Sequence, residues 1–266
     1  MEILHYVDLS ALRYLAKGLT FDEMRCAEVL DSALVDLNRL NGFPNEMSAW
    51  VQAGGLSAGP GPYEGRKRIV IEIHENQNRD GRKLHMAVAK EIDEPQRAPA
   101  VFLIMHSPTL NVPMRVEIPL RALMKGGPAL DNTYTVYLHA LITDQGQEWV
   151  YYGITRRGWS IRFNEHTRAA VARKSQRLLA RTLDSLIDAR VAQLSGAGDG
   201  QPALAGIVTV LCSVGQSHEA ALKSEEYLVD KYSLAGKSPF GMNMIPGGRA
   251  GLAHAQRFRR HRPKSA

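Results

Sequence analysis

Cysteine is scarce in this chain: Cys26 and Cys212 are the only two in 266 residues. Two thiols cannot build a disulfide framework or a cysteine-rich zinc site, which points to a reducing, intracellular and so cytoplasmic setting. Long apolar runs are missing as well. No stretch reaches the ~20 residues needed to span a bilayer, and the N-terminus lacks the basic-then-apolar pattern of a secretory signal, so no membrane partner is expected. The remaining composition, 44% hydrophobic and 23% charged, is that of an ordinary globular protein. The length suits one large domain or two modest ones, either with a real core.

Excess charge is absent from one half only. Residues 1–130 hold 15 Lys/Arg against 16 Asp/Glu, whereas residues 131–266 hold 18 against 11. The whole net charge of +6 therefore arises in the second half. Such a one-sided basic field suits a polyanion, because each neutralised phosphate releases counterions. A basic surface with no partner fits the charge equally well.

The first half reads as α+β and carries no motif with chemistry. Apolar residues recur at helical spacing over 9–40, with a break at Leu19-Thr20 and Thr20 or Asp22 near the second N-cap. The Gly/Pro-rich stretch 54–65 cannot hold helix or strand and reads as a loop. Strands are expected at 68–74, 84–90, 100–106 and 114–119, the first two joined by a hairpin turn at Asn78-Arg79-Asp80-Gly81. A short helix follows at 120–125. The near-neutral charge of this region fits target recognition, regulation, or contact with a second copy or a protein partner.

The second half changes character. Two β-prone runs, 134–142 and 148–155, are separated by Thr143-Asp144-Gln145-Gly146-Gln147. A long helical stretch over 161–194, a buried strand at 204–212 and a helix at 217–233 complete a β-β-α-β-α order. With a five-residue hairpin loop, Ile142 faces Glu148, and one face of the hairpin shows Tyr137, His139, Tyr151 and Gly153. Tyrosine is also simply a good strand residue. Arg162 and His166, four apart, share a helical face. If that helix continues, Arg173 and Arg177 extend the same row of cations, though such a row is as readily a solvated face. Glu225 interrupts the apolar stripe of the last helix, where a carboxylate must be paired, hydrogen-bonded or bound to metal.

Taken in order, these positions resemble the GIY-YIG endonuclease superfamily. Thr135-Val136-Tyr137 is similar to its first signature, with Thr-Val in place of Gly-Ile. Tyr151-Tyr152-Gly153, followed by Ile154-Thr155, is similar to its second. The family's arginine with a histidine four residues later matches Arg162 and His166. Its helical glutamate matches Glu225, with Leu228 and Val229 following. Its closing asparagine before a Gly-Gly pair matches Asn243 before Gly247-Gly248. The resemblance covers about half the chain and is silent on the N-terminal half.

The resemblance implies an α+β fold. Residues 131–250 would form a β-β-α-β-α nuclease domain with a small three-stranded antiparallel sheet flanked by helices. An N-terminal α+β region (1–130) would precede it and a basic tail (251–266) would follow. It implies hydrolysis of phosphodiester bonds, in DNA rather than RNA, with Mg²⁺ or Mn²⁺ bound by Glu225. Tyr137, Tyr151, Arg162, His166, Glu225 and Asn243 would be the catalytic set. Either tyrosine would orient or deprotonate water, with cations from Arg162, His166 and the metal helping to lower its pKa. Arg156, Arg157, Arg173, Arg177, Arg257, Arg259 and Arg260 are the candidates for backbone contacts, the last three in a tail that is equally a solvated terminus. The alternative is a nucleic-acid-binding module on the same scaffold, inactive or awaiting a partner.

Overall fold

The computed structural model describes residues 6–19, 22–40, 49–50, 52–53, 68–78, 81–94, 96–106, 110–198 and 200–260. Among them are six helices and seven strands, so the protein is α+β. In chain order these are α1 (Leu9–Leu15), α2 (Glu23–Leu40), β1 (Arg68–Asn78), β2 (Gly81–Ile92), β3 (Ala100–His106) and β4 (Pro113–Pro119). There follow β5 (Tyr134–Thr143), β6 (Glu148–Thr155), α3 (Trp159–Val171), α4 (Leu178–Leu194), β7 (Leu204–Gln216), α5 (His218–Leu228) and α6 (Gly248–Arg260). No helix among the described residues is long and apolar enough to cross a membrane.

The hydrogen-bonded strand order is β2-β1-β3-β4-β7-β5-β6. The small three-stranded sheet expected from the sequence does not stand alone: β7, β5 and β6 are the end of a longer, mixed order. The reason lies in β7. It does not stop at 212 but runs to Gln216, and its residues divide between the two compact units of the chain. One unit comprises Met1–Asp131 with Val210–Gly215, the other Asn132–Thr209 with Gln216–Ala266.

In the first unit β1 and β3 run parallel, while β1–β2 and β3–β4 are antiparallel. Ile69, Val70 and Ile71 are consecutive and all buried, so both faces of β1 are covered, as a parallel strand requires. The first hairpin pairs Asn78 with Gly81. Its turn residues Arg79 and Asp80, like the loop 54–65 and Thr20, lie outside the described residues. Asp22 caps α2, its carboxylate accepting from the Arg25 N–H at 3.0 Å. The helix expected at 120–125 is a single 3₁₀ turn, Leu120–Ala122.

The second unit is built on the β5–β6 hairpin. Its register pairs Ile142 with Glu148, His139 with Tyr151 and Tyr137 with Gly153, as the five-residue loop requires. A glycine is needed there. A Cβ on Gly153 would stand 2.6 Å from the Tyr137 hydroxyl, so only a bare backbone lets the phenol lie across β6. After β6, the Thr155 hydroxyl accepts from the Arg157 N–H at 3.1 Å, and Gly158 at φ 98 turns the chain into α3.

The long helix expected over 161–194 is two helices. Between them Lys174 takes φ 45, and the Ser175 N–H reaches back to the Ala169 carbonyl at 2.8 Å. α4 then starts afresh and buries Leu179, Leu183 and Leu186. The helix expected over 217–233 runs as α5 to Leu228 and then widens to a π turn over Val229–Ser233. The basic tail expected from 251 is helical to Arg260 and belongs to α6; residues 261–266 lie outside the described residues.

Candidate active site

Burial sorts the hairpin's polar face. Tyr137 is fully buried and His139 nearly so, their rings 4.6 Å apart. Tyr151 lies 6.5 Å from Tyr137 and 5.0 Å from His166, which projects from the second turn of α3. His139 stands edge-on to Phe163 and His166, and its Nδ1 is 3.0 Å from the Thr209 hydroxyl of β7. The Nε2 atoms of His139 and His166 are buried without a hydrogen-bond partner among the described residues.

Arg162 is the electrostatic centre of this group. It sits one helical turn before His166, and its charge acts on Tyr137, Tyr151 and Glu225. Its guanidinium also pairs with Glu165, which accepts from Arg157 as well at 2.8 Å. The cation is thus held at one edge by Glu165 while its field reaches both phenols.

Glu225 enters from α5. Burial pushes its carboxyl up from the ordinary range, while bonds from the Gly248 and Ile154 backbones and the charge of Arg162 pull it down. Its Oε2 accepts from the Gly248 N–H at 3.0 Å. Glu226, one residue on, accepts from the Arg249 N–H at 3.1 Å. The N-terminus of α6 therefore presents two free backbone donors to two carboxylates, a match of charge to helix dipole. Both glycines are needed for this approach. A Cβ on Gly247 would meet the Glu225 carbonyl oxygen at 2.7 Å, and one on Gly248 the Leu222 carbonyl at 2.5 Å.

Asn243 acts as an extra rung of sheet. Phe240 and Met242 exchange backbone bonds with Val150, and the Asn243 side-chain amide takes the next position along β6. Its Oδ1 accepts from the Tyr152 N–H at 3.0 Å and its Nδ2 donates to the Tyr152 carbonyl at 2.9 Å. The same Oδ1 accepts from the fully buried Ser233 hydroxyl at 2.7 Å. With these bonds made, Asn243 fixes the strand that carries Tyr151 and is placed to position rather than to transfer protons.

The protonation states differ from those expected of a tyrosine base. Burial raises both phenols, and for both it outweighs the opposing charge of Arg162. Burial, with Arg162 and Arg177 adding to it, lowers His166 to about 4. His166 is therefore neutral near pH 7 and supplies no positive charge to lower a neighbouring phenol; Arg162 alone among the expected catalytic side chains does so.

Arg177 interacts with both Tyr151 and His166, but from the first residue before α4 rather than along one continuous helix. Arg173 is exposed in the connector between α3 and α4, Arg156 is exposed in the turn after β6, and Arg257 is exposed on α6. None of these three is among the partners named above for the Tyr137–Glu225 group. Arg259 and Arg260 lie on α6.

Among the described residues no three His, Cys, Asp or Glu side chains cluster as a metal site. Glu225 nevertheless fits a hard, hydrated ion: it is half-buried, and a carboxylate that accepts backbone bonds retains further lone pairs. The group around it offers no thiolate of the kind structural zinc prefers. Comparison with protein-family models, with curated proteins and with solved structures finds no match, so the site stands on its own geometry.

Three participants carry no direct signal in the sequence. Glu165 looks like one more helical surface charge, and Thr209 like a buried strand residue. The Gly248 N–H has no side chain to read, although a Gly-Gly pair opening a helix is a signal for close backbone approach.

Proposed function

We propose that the second unit is a metal-dependent endonuclease of the GIY-YIG type that hydrolyses phosphodiester bonds, in DNA before RNA. The observation that supports this reading is that Tyr137 and Tyr151 lie 6.5 Å apart on one face of the hairpin, with the charge of Arg162 acting on both phenols and on Glu225. Two phenols, a fixed cation and a carboxylate are what hydrolysis of an anionic ester needs: water oriented, charge stabilised and a cation held.

In this reading Glu225 would hold Mg²⁺ or Mn²⁺. When bound, the ion supplies Lewis-acid stabilisation of the phosphate and the leaving 3′ oxygen. Arg162 faces the phosphoryl oxygens as charge develops on them, and Glu165 keeps its planar fork in one orientation. Tyr151, half-buried and lining a neighbouring concavity, orients the attacking water as a protonated phenol, and the fully buried Tyr137 packs behind it. His166, neutral near pH 7 and with its Nε2 buried, packs edge-on against Tyr151 and backs it, and the attacking water's proton passes to solvent. Asn243 and the glycine pair hold β6 and Glu225 in register.

The test is cleavage of a labelled duplex and of its single strand by the full chain, with Mg²⁺ or with EDTA, for wild type and Glu225→Gln. Cutting that needs metal, is lost in the variant and leaves binding intact is the expected result. Binding without cutting under every metal and substrate supports the binding-module alternative instead. Cutting by the variant at the wild-type rate removes Glu225 from the mechanism.

A further inference from the structure

Beside the Tyr137–Glu225 group the second unit has a concavity of about 400 Å³ whose chemistry differs from that of the site it adjoins. The rings of Tyr151 and His166 line it, inclined at 67° to one another. Its walls are Ala169, Leu178, Met242 and Met244, and it opens beside Arg177. The exposed lining is predominantly apolar, although the mouth is rimmed by an always-charged guanidinium. Met244 is more than half exposed, yet it is held in place by the Leu178 N–H, which points at its sulfur at 3.3 Å.

An apolar concavity lined by two inclined rings, one of which can present its face, and edged by a cation is complementary to one nucleotide unit. A nucleobase is flat and apolar on its faces and stacks on aromatic rings and thioethers, while its own phosphate needs a cation at the mouth. A base paired in a duplex cannot enter such a slot, because its faces are covered by its neighbours; the base must be unstacked. We propose that this pocket receives one unpaired nucleobase next to the phosphate engaged by Arg162. The chain would then act on nucleic acid with an unstacked nucleotide at the cut, in a single strand, gap or flap. The proposal rests on the nuclease reading and adds to it a substrate class and the side chains that select it.

The helix break at Lys174 is what makes the pocket. Were 161–194 one helix, Leu178 and Arg177 would continue away along its axis. The left-handed residue instead turns the chain so that both stand over Tyr151 and His166. The Asn243 side-chain rung does the same on the other wall, since it ends the main-chain pairing with β6 at Met242 and lets Met244 turn over the opening.

The experiment is an abasic scan. Labelled single strands, each lacking the base at one position in turn, are titrated with the full chain in EDTA, so that binding is read without cutting. Wild type, Ala169→Phe, which fills the pocket, and Met244→Ala, an exposed position that opens one wall, are compared. The expected result is one position at which loss of the base weakens wild-type binding about 10-fold, in the range of a single stacking contact. That positional effect vanishes in Ala169→Phe and shrinks in Met244→Ala. Equal binding at every abasic position, with metal-dependent cutting still present, overturns the pocket and leaves the nuclease standing. A positional effect that survives both substitutions also overturns it. No binding of any strand, together with no cutting of any substrate, overturns both readings.

Discussion

Replacing Asn243 with alanine removes three hydrogen bonds together: two with the Tyr152 backbone and one from the Ser233 hydroxyl. Each bond contributes about 1 kcal/mol net, and a buried hydroxyl deprived of its acceptor costs about 1–3 kcal/mol more. Ser233 is fully buried, so its hydroxyl gains no replacement bond from water. The total expected loss is about 4–6 kcal/mol, a large share of a typical domain's stability. Asn243→Asp tells the individual bonds apart. It keeps both bonds accepted by Oδ1 but sets a carboxylate oxygen against the Tyr152 carbonyl, acceptor against acceptor, so a loss of at least about 2 kcal/mol is expected at neutral pH, shrinking as the carboxyl protonates and can donate again. Urea denaturation followed by circular dichroism reads both variants, with an unchanged slope required for a clean comparison. If Asn243→Ala lies within about 1 kcal/mol of wild type, the side-chain rung is not what holds β6, and the positioning role assigned to Asn243 is wrong.

Gly153→Ala drives a methyl into the Tyr137 ring, with contacts of 2.6 and 2.8 Å; a loss of about 1–3 kcal/mol in thermal or urea unfolding is expected, partly relieved by adding Tyr137→Phe. Gly248→Ala meets both φ +59 and the Leu222 carbonyl at 2.5 Å, so it destabilises by at least about 1 kcal/mol and weakens Mn²⁺ binding by displacing the donor that holds Glu225. His166 titrates at about 4 when folded and about 6.5 when unfolded. Between these values the unfolded chain binds more protons, so stability falls as pH is lowered through that window, by about 3 kcal/mol in all. The difference between wild type and His166→Gln over pH 4–7 isolates this effect from that of Glu225, whose raised pKa acts in the opposite sense. A difference that does not change with pH would show that His166 is not held neutral by burial.

How far the site can be read from sequence depends on how local its signals are. The β5–β6 register follows from loop length and period-two alternation alone, which put Tyr137 opposite Gly153 and on one face with His139 and Tyr151. Glu225 stands out because it interrupts an apolar stripe. The split of α3 from α4 is not legible, since Ala172-Arg173-Lys174-Ser175-Gln176-Arg177 has no Gly or Pro to mark it, and a left-handed lysine is set by packing. The extent of β7 is hidden in the same way: a buried strand is expected only to 212, yet the strand continues to Gln216 with Gly215 at φ +68. The bonds from Asn243 to Tyr152 and from Gly248 to Glu225 span 91 and 23 residues, distances over which single-sequence patterns carry no pairing information. Protonation is the part least open to sequence reasoning. It turns on burial, and burial raises both phenols and keeps His166 neutral.

The proposed mechanism requires Glu225 and Arg162 to act on one phosphodiester. The decisive measurement is single-turnover cleavage of a labelled strand in Mg²⁺ by wild type, Glu225→Gln and Arg162→Ala, each first shown to be folded and to bind the strand. The expected result is rapid product formation by wild type only, abolished by EDTA, with each substitution slowing cleavage by at least about 100-fold. Cleavage by either variant at the wild-type rate, or product that persists in EDTA, would refute that requirement.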